Sequence, residues 1–139
     1  MTTTPETARP TRSAPVEDAD SAEFWAAARR GELLLQRCTA CESWQFPPRV
    51  VCIRCGALVR WRAAAGTATL YSFTVVHRAP ADFADLAPYA VGLADLAEGV
   101  RMVAIVDAPL DQVAVGLPLR VAFDLRGGDV TVPLLRPDP

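Results

Sequence analysis

Lysine is absent from this chain, because all 14 basic residues are arginine. Without an amine side chain there can be no Schiff base and no lysine nucleophile. Histidine occurs once, at His77, so any triad or general-base scheme would have to use that residue. Neither a G-x-G-x-x-G nor a Walker phosphate-binding motif occurs, and Gly127-Gly128 is interpreted as a turn. These absences predict that the chain is not an enzyme by itself.

Long hydrophobic runs are also missing. No apolar stretch reaches the roughly 18 residues that a membrane-spanning helix needs. Residues 1–20 are rich in Thr, Pro, Ala and acidic residues and contain no hydrophobic segment typical of a signal peptide. We therefore expect a disordered tail over 1–20 and a cytoplasmic location. A chain of 139 residues has a limited core, which a bound metal would reinforce.

The four cysteines form two C-x-x-C pairs with ten residues between them: Cys38, Cys41, Cys52 and Cys55. Two such knuckles can place four thiolates around one Zn²⁺, a closed structural shell with no open coordination position. The gap is shorter than the roughly 15 to 20 residues of the common four-cysteine pattern, which predicts that the knuckles are the tips of short adjoining hairpins. Rubredoxin-like iron and a disulfide or redox role are the alternatives, of which oxidised pairing is disfavoured in a chain without a secretory leader.

Charge is unevenly distributed along the chain. Residues 29–78 carry eight arginines against two acidic residues, a net charge of +6, whereas residues 79–139 carry four arginines against nine acidic residues, a net charge of −5. A zinc ion with four thiolates would reduce the positive charge of the first segment by two. The basic half is either a surface for an anionic ligand or partner, or an ordinary solvated face.

The order of predicted elements indicates a mainly β protein. A helix is predicted over 22–30, with Ser21 as N-cap and Gly31 as the stop. Short strands at 32–37, 44–46 and 58–62 surround the knuckles, and residues 49–51 lead into the second. Five strands follow at 67–77, 89–96, 100–107, 117–125 and 130–135, with a long loop over 79–88. This order predicts an N-terminal helix over 21–31, a zinc ribbon over 32–65 and a five-stranded OB-fold barrel over 66–139.

Several side chains allow two interpretations. Trp44, Phe46 and Trp61 are expected to form an apolar plate under the metal, or a stacking platform for bases or an adenine ring. His77 is either a core or edge histidine or, together with Arg78, binds a phosphate or a thioester carbonyl. If no bulge interrupts the first barrel strand, its alternation puts one set of side chains on a single face: Tyr71, Phe73, Val75 and His77.

The chain contains F-W at 24–25, F-P-P-R at 46–49, both knuckles, G-T-A-T-L-Y-S-F-T-V-V-H-R at 66–78 and V-G-L-P at 115–118. This order, which covers nearly everything from Phe24 to Pro137, resembles a family of acyl-CoA-associated proteins long catalogued as a domain of unknown function. Its members join a rubredoxin-like zinc ribbon to an OB-fold. Two positions depart from the family pattern, because Glu42 and Ala104 stand where glycine is expected.

The resemblance implies a non-catalytic accessory subunit in a hetero-oligomer with a thiolase-fold enzyme: a thiolase, a retro-aldolase or an acyltransferase of lipid metabolism. It implies that the four cysteines hold structural Zn²⁺ and that a CoA thioester is shared with the partner. His77 and Arg78 would face the ligand or the partner, and Arg49, Trp44 and Phe46 are further candidates. The alternative is a single-stranded nucleic-acid-binding zinc-ribbon/OB module, which the acidic barrel half disfavours.

Overall fold

A computed structural model describes residues 14–125 and 131–139 of the chain. Within these ranges, one helix, α1 (Ala22–Arg29), precedes eight strands: β1 (Leu34–Cys38), β2 (Trp44–Gln45), β3 (Val59–Ala63), β4 (Thr67–Val76), β5 (Tyr89–Leu96), β6 (Arg101–Val106), β7 (Pro118–Leu125) and β8 (Thr131–Pro137). The strands form a three-stranded sheet in the order β2-β1-β3 and a closed barrel in the order β4-β5-β6-β8-β7. The predicted fold class, mainly β with a helix, a ribbon and an OB-like barrel, is confirmed.

Helix α1 anchors the N-terminal part of the chain. It buries Phe24, Ala27 and Ala28, and it stops before Gly31, whose φ of 76° suits glycine. Ser21 occupies the N-cap position, but its hydroxyl donates to the Asp18 carboxylate at 2.8 Å and does not cap the helix. Of the tail predicted over 1–20, residues 1–13 lie outside the described residues.

The ribbon sheet is built around β1, which pairs antiparallel with β2 and β3. The segment that leads into the second knuckle forms no strand, and Val51 makes only an isolated bridge with Leu58. The ladder that joins β1 to β3 therefore carries most of the ribbon's backbone pairing.

The barrel interior follows the period-two alternation of its strands. On β5 the inward positions include Ala90, Gly92 and Ala94, and on β6 they include Met102 and Ala104. Of the five pairs of neighbouring strands in the barrel, four are antiparallel, and the parallel pair between β6 and β8 closes the barrel. The small residue Ala104, noted as a departure from the family pattern, lies inside the barrel opposite Gly92. The turn predicted at 127–129 lies outside the described residues.

A bulge interrupts β4 at Tyr71, where the register with β5 shifts between Leu70 and Ser72. The sequence predicted a single shared face only for a strand without a bulge, and that condition is not met. Beyond the bulge, Phe73 and Val75 pair with Gly92 and Ala90; Tyr71 and Phe73 are both exposed, and Val75 is partly buried. The guanidinium of Arg101 stacks 3.5 Å from the centre of the Tyr71 ring.

No helix in the described ranges has both the length and the hydropathy that crossing a lipid bilayer requires. The eight-residue α1 is far shorter than the roughly 20 residues that such a span needs.

The packing of the barrel interior leaves no room for a side chain at Gly92. A Cβ at this position would lie 2.7 Å from Leu70 Cδ1 and 2.8 Å from Val106 Cγ2. Gly92→Ala is expected to lower the free energy of unfolding by about 1–3 kcal/mol, since overpacking displaces neighbouring side chains. Chemical denaturation of the zinc-loaded chain measures the change.

The double variant Gly92→Ala/Val106→Ala provides the control. Removing Val106 Cγ2 relieves one of the two close contacts, so the two substitutions together should cost less than the sum of their separate effects. Strict additivity would contradict the overpacking explanation.

Candidate metal centre and adjoining surfaces

The two knuckles bring the four cysteine sulfurs together. Their Sγ atoms all lie within 4.8 Å of one another. Cys38 and Cys55 are 3.5 Å apart, and Cys41 and Cys52 are 3.7 Å apart. Tetrahedral zinc with Zn–S bonds of about 2.3 Å requires sulfur–sulfur distances of about 3.8 Å. The four sulfurs therefore fit one zinc ion, which would fill its coordination shell and stiffen the two turns.

Backbone N–H groups point at the sulfurs of both knuckles. Ala40 and Cys41 donate to Cys38 Sγ at 3.3 and 3.4 Å, and Arg54 donates to Cys52 Sγ at 3.4 Å. Such donors stabilise negatively charged thiolates and orient them toward a metal. The tight turns that form these hydrogen bonds also carry the cysteines of each knuckle at their tips.

The two turns end differently. Gly56 follows the second knuckle with φ at 78°, and Glu42 follows the first with φ at 62°. Glycine adopts this left-handed conformation freely, whereas another L-residue pays about 1–2 kcal/mol. The replacement of the family's glycine by Glu42 thus leaves strain in the first turn without preventing its formation.

Hydrogen bonds favour the thiolate form of two cysteines. The N–H groups of Cys55 and then Arg54 lower the pKa of Cys52 to about 6. The pKa of Cys41 is also lowered, mainly by the Ser43 hydroxyl, which lies 2.9 Å from Cys41 Sγ. Because the thiolate is the metal-binding form, these hydrogen bonds prepare Cys41 and Cys52 for zinc. At Cys55 the Ala57 N–H lowers the pKa, but the neighbouring cysteine sulfurs outweigh it and raise the pKa to about 11.

Two buried glutamines hold the segment between the knuckles. Gln36 on β1 accepts a hydrogen bond from Arg49 N and donates one to Arg49 O, both at 2.8 Å. Gln45 on β2 donates to Val51 O at 3.2 Å and accepts from Ile53 N at 3.0 Å, and it also donates to Gln36 at 2.8 Å. The side-chain amides thus satisfy backbone groups that a strand would otherwise pair. Sequence periodicity gave no signal for this clamp.

The three rings of the predicted apolar plate contact the hydrophobic core, and their arrangement as a plate under the metal stays a prediction. Trp44, Phe46 and Trp61 are half-buried and pack against the hydrophobic core. The Phe46 ring lies 5.5 Å from the Phe24 ring, and the Arg37 guanidinium lies 5.4 Å from the centre of the Trp44 ring. These contacts favour a structural role for the three rings over an open stacking platform.

An apolar groove of about 510 Å³ lies where the N-terminal segment, α1, the ribbon, the 79–88 loop and the barrel meet. Its walls are mainly aromatic and aliphatic and include Phe24, Trp25, Phe46, Pro48, Phe83 and Val103. The polar side chain of Ser21 also lines it, but that hydroxyl is bonded to Asp18. The volume is within the range of small-molecule sites, and the lining suits a hydrocarbon group. Of the sequence candidates, only Phe46 lines this groove, while Arg49 follows its wall residue Pro48.

A second, polar groove of about 300 Å³ lies beside the first knuckle and is lined by Arg37, Arg60 and Arg62 together with Glu42. The predicted basic character of the ribbon is concentrated here. His77 and Arg78 lie elsewhere: both are exposed just beyond the end of β4 and line neither groove. Within the described residues neither has an ion-pair partner, so their predicted role stays a prediction.

A metal analysis tests the site. The chain purified under reducing conditions is expected to be colourless with one zinc per molecule, since four thiolates complete the shell of this d¹⁰ ion. Cys38→Ser removes one ligand and should abolish stoichiometric zinc and disorder the ribbon, measured by metal analysis and amide hydrogen exchange. Ala40→Ser, in the same turn but not at a ligand position, should keep the zinc. A red protein with one iron would contradict the assignment.

Family models place this chain among proteins with the same two parts. Residues 25–59 match the rubredoxin-like zinc ribbon domain of ChsH2, and residues 61–124 match the C-terminal OB-fold domain of ChsH2. The described ribbon and barrel correspond to these two matches.

Individual relatives agree with the family models. A probable enoyl-CoA hydratase alpha subunit of Thermomonospora curvata is 34% identical over 129 residues, which is 91% of this chain and 40% of that protein. This chain thus spans less than half the length of that relative. A DUF35 domain-containing scaffold protein of Methanocaldococcus jannaschii is 33% identical over 63% of this chain and 64% of its own length.

A solved structure also matches this chain in three dimensions. A chain of the Ltp2-ChsH2(DUF35) aldolase superimposes with a TM-score of 0.81 and 32% identity, over 89% of this chain and 98% of that one. Sequence, metal-site geometry and fold therefore agree. The chain belongs to the DUF35 family and has the zinc ribbon and OB-fold of ChsH2.

Proposed function

We propose that this chain is a non-catalytic, zinc-binding accessory subunit of a thiolase-fold enzyme and supports that enzyme's acyl-CoA chemistry. The observation that carries the proposal is the likeness to the Ltp2-ChsH2(DUF35) aldolase, which extends over 98% of the matched chain. The name of the archaeal relative, a scaffold protein, supports a role in assembling other proteins.

The chemistry of the chain supports a role without independent catalysis. Its four cysteines are gathered in one cluster, its only histidine is exposed, and it has no lysine. A zinc ion bound by four thiolates has no open position for substrate or water. Reduced cysteines also support the proposed cytoplasmic location.

The apolar groove supports contact between this chain and the acyl part of a CoA thioester. Arg49 directly follows the groove residue Pro48, and Gln36 holds both backbone groups of Arg49. Its exposed guanidinium has no ion-pair partner within the described residues. A hydrocarbon groove beside an exposed arginine whose backbone is anchored suits an amphipathic anion, and the arginines of the ribbon would attract the CoA phosphates.

Co-expression tests the accessory role. The chain and the thiolase-fold enzyme of its own source are expected to elute together from size exclusion, and the enzyme should lose about tenfold or more in activity on its acyl-CoA without this chain, about 1.4 kcal/mol in activation free energy. The chain alone should not turn over the thioester. Separate elution together with unchanged enzyme activity would refute the accessory role.

A charge placed in the apolar groove tests the acyl contact. Val103 lines the groove and is 60% exposed, so Val103→Asp should leave folding largely intact. The variant is expected to weaken octanoyl-CoA binding about tenfold, or about 1.4 kcal/mol, with little effect on free CoA, because each buried methylene contributes up to about 0.8 kcal/mol. Calorimetry on the zinc-loaded chain measures both ligands.

Val115→Asp is the matched control, because Val115 is 68% exposed and lies outside the groove lining. It should leave both affinities unchanged. Equal binding of octanoyl-CoA by all three proteins would contradict the acyl contact.

A further inference from the structure

The second knuckle exposes an unusual number of large aliphatic side chains. Val50, Ile53 and Leu58 are 72%, 74% and 72% exposed, and Val51 is 41% exposed. All four lie within nine consecutive residues, and Val51 bridges Leu58 across the knuckle. We call these four residues the knuckle patch. Isolated exposed aliphatic residues are common, but a cluster of this kind marks an interaction surface.

The knuckle patch is held in place before any partner arrives. Gln45 bonds to Val51 O and Ile53 N, and the four sulfurs are placed to bind one metal at the base of the knuckle. A surface that is already ordered loses little conformational entropy when it binds. The patch therefore has the rigidity of a preformed docking site.

Arginines flank the patch residues along the chain. Arg49, Arg54 and Arg60 are exposed, and within the described residues none of their side chains forms an ion pair. Three acidic residues of the barrel are paired within the barrel, because Asp95, Asp107 and Asp138 pair with Arg101, Arg136 and Arg120. An apolar centre with an arginine rim is the composition of a protein–protein interface.

We propose that the knuckle patch is the surface on which the enzyme partner docks, through an apolar pocket of the enzyme rimmed by carboxylates. This inference rests on the proposed accessory function and specifies where the partner binds. A nucleic acid is disfavoured as occupant because residues 50–58 contain no aromatic side chain on which a base would stack.

Substitutions at the patch test the proposal in the complex with the co-expressed enzyme. Ile53→Asp and Leu58→Asp are each expected to raise the dissociation constant at least tenfold, because a charge must then be buried against an apolar pocket. Zinc content should stay at one per chain in both variants, which separates lost docking from lost folding. Val115→Asp, equally exposed on the barrel side, should bind like the wild type.

Charge reversal at the rim gives a second, independent measurement. Arg54→Glu should slow association at low salt, and the difference from the wild type should shrink as ionic strength rises. Arg120→Glu on β7 is a reversal on the barrel, which also breaks the ion pair with Asp138, and it should have little effect on association.

The outcomes separate this inference from the function on which it rests. If the wild-type chain does not bind the enzyme at all, the accessory function fails. If the enzyme binds the wild type and both knuckle variants equally well, the docking surface is wrong while the accessory function stands. A wild-type dimer that Ile53→Asp converts to a monomer would assign the patch to a second copy of this chain and would also overturn the proposal.

Discussion

The ribbon depends on one constraint: two turns separated by ten residues must hold four sulfurs within 4.8 Å of one another. The first knuckle is positioned by β1 and β2, but the segment before the second has no strand ladder. Its backbone is held instead by the amides of Gln36 and Gln45. The glutamines and the expected metal therefore act together. The glutamines fix the segment before the second knuckle, and the metal would join the sulfurs of both knuckles.

The barrel is organised by a different constraint, which is steric. Its five strands close around small inward residues such as Gly92 and Ala104, and the space that these leave is filled by Leu70 and Val106. This interior has no room for a ligand at that level. The apolar groove lies outside this packed interior, where the barrel strands, α1 and the ribbon meet.

Local patterns were sufficient for much of this fold. The alternation in β5 predicted its bounds, Tyr89–Leu96, and the cysteine spacing predicted the sulfur cluster. The missed features all arise from tertiary contacts. The bulge at Tyr71 accompanies outward stacking on Arg101, and the glutamine clamp joins residues up to 13 positions apart. The groove combines walls from five segments, so no single stretch of sequence carries its pattern.

The separation of a basic ribbon from an acidic barrel can be interpreted only when the ion pairs are known. From the sequence, the basic half is equally compatible with a surface for an anionic ligand or partner and with an ordinary solvated face. In the structure, three barrel carboxylates pair with barrel arginines, whereas the arginines around the second knuckle do not pair within the described residues. Unpaired positive charge therefore lies on the ribbon next to its exposed aliphatic residues, while the barrel keeps its acidic excess. A rigid surface of exposed aliphatic residues and unpaired arginines is typical of one that another molecule covers.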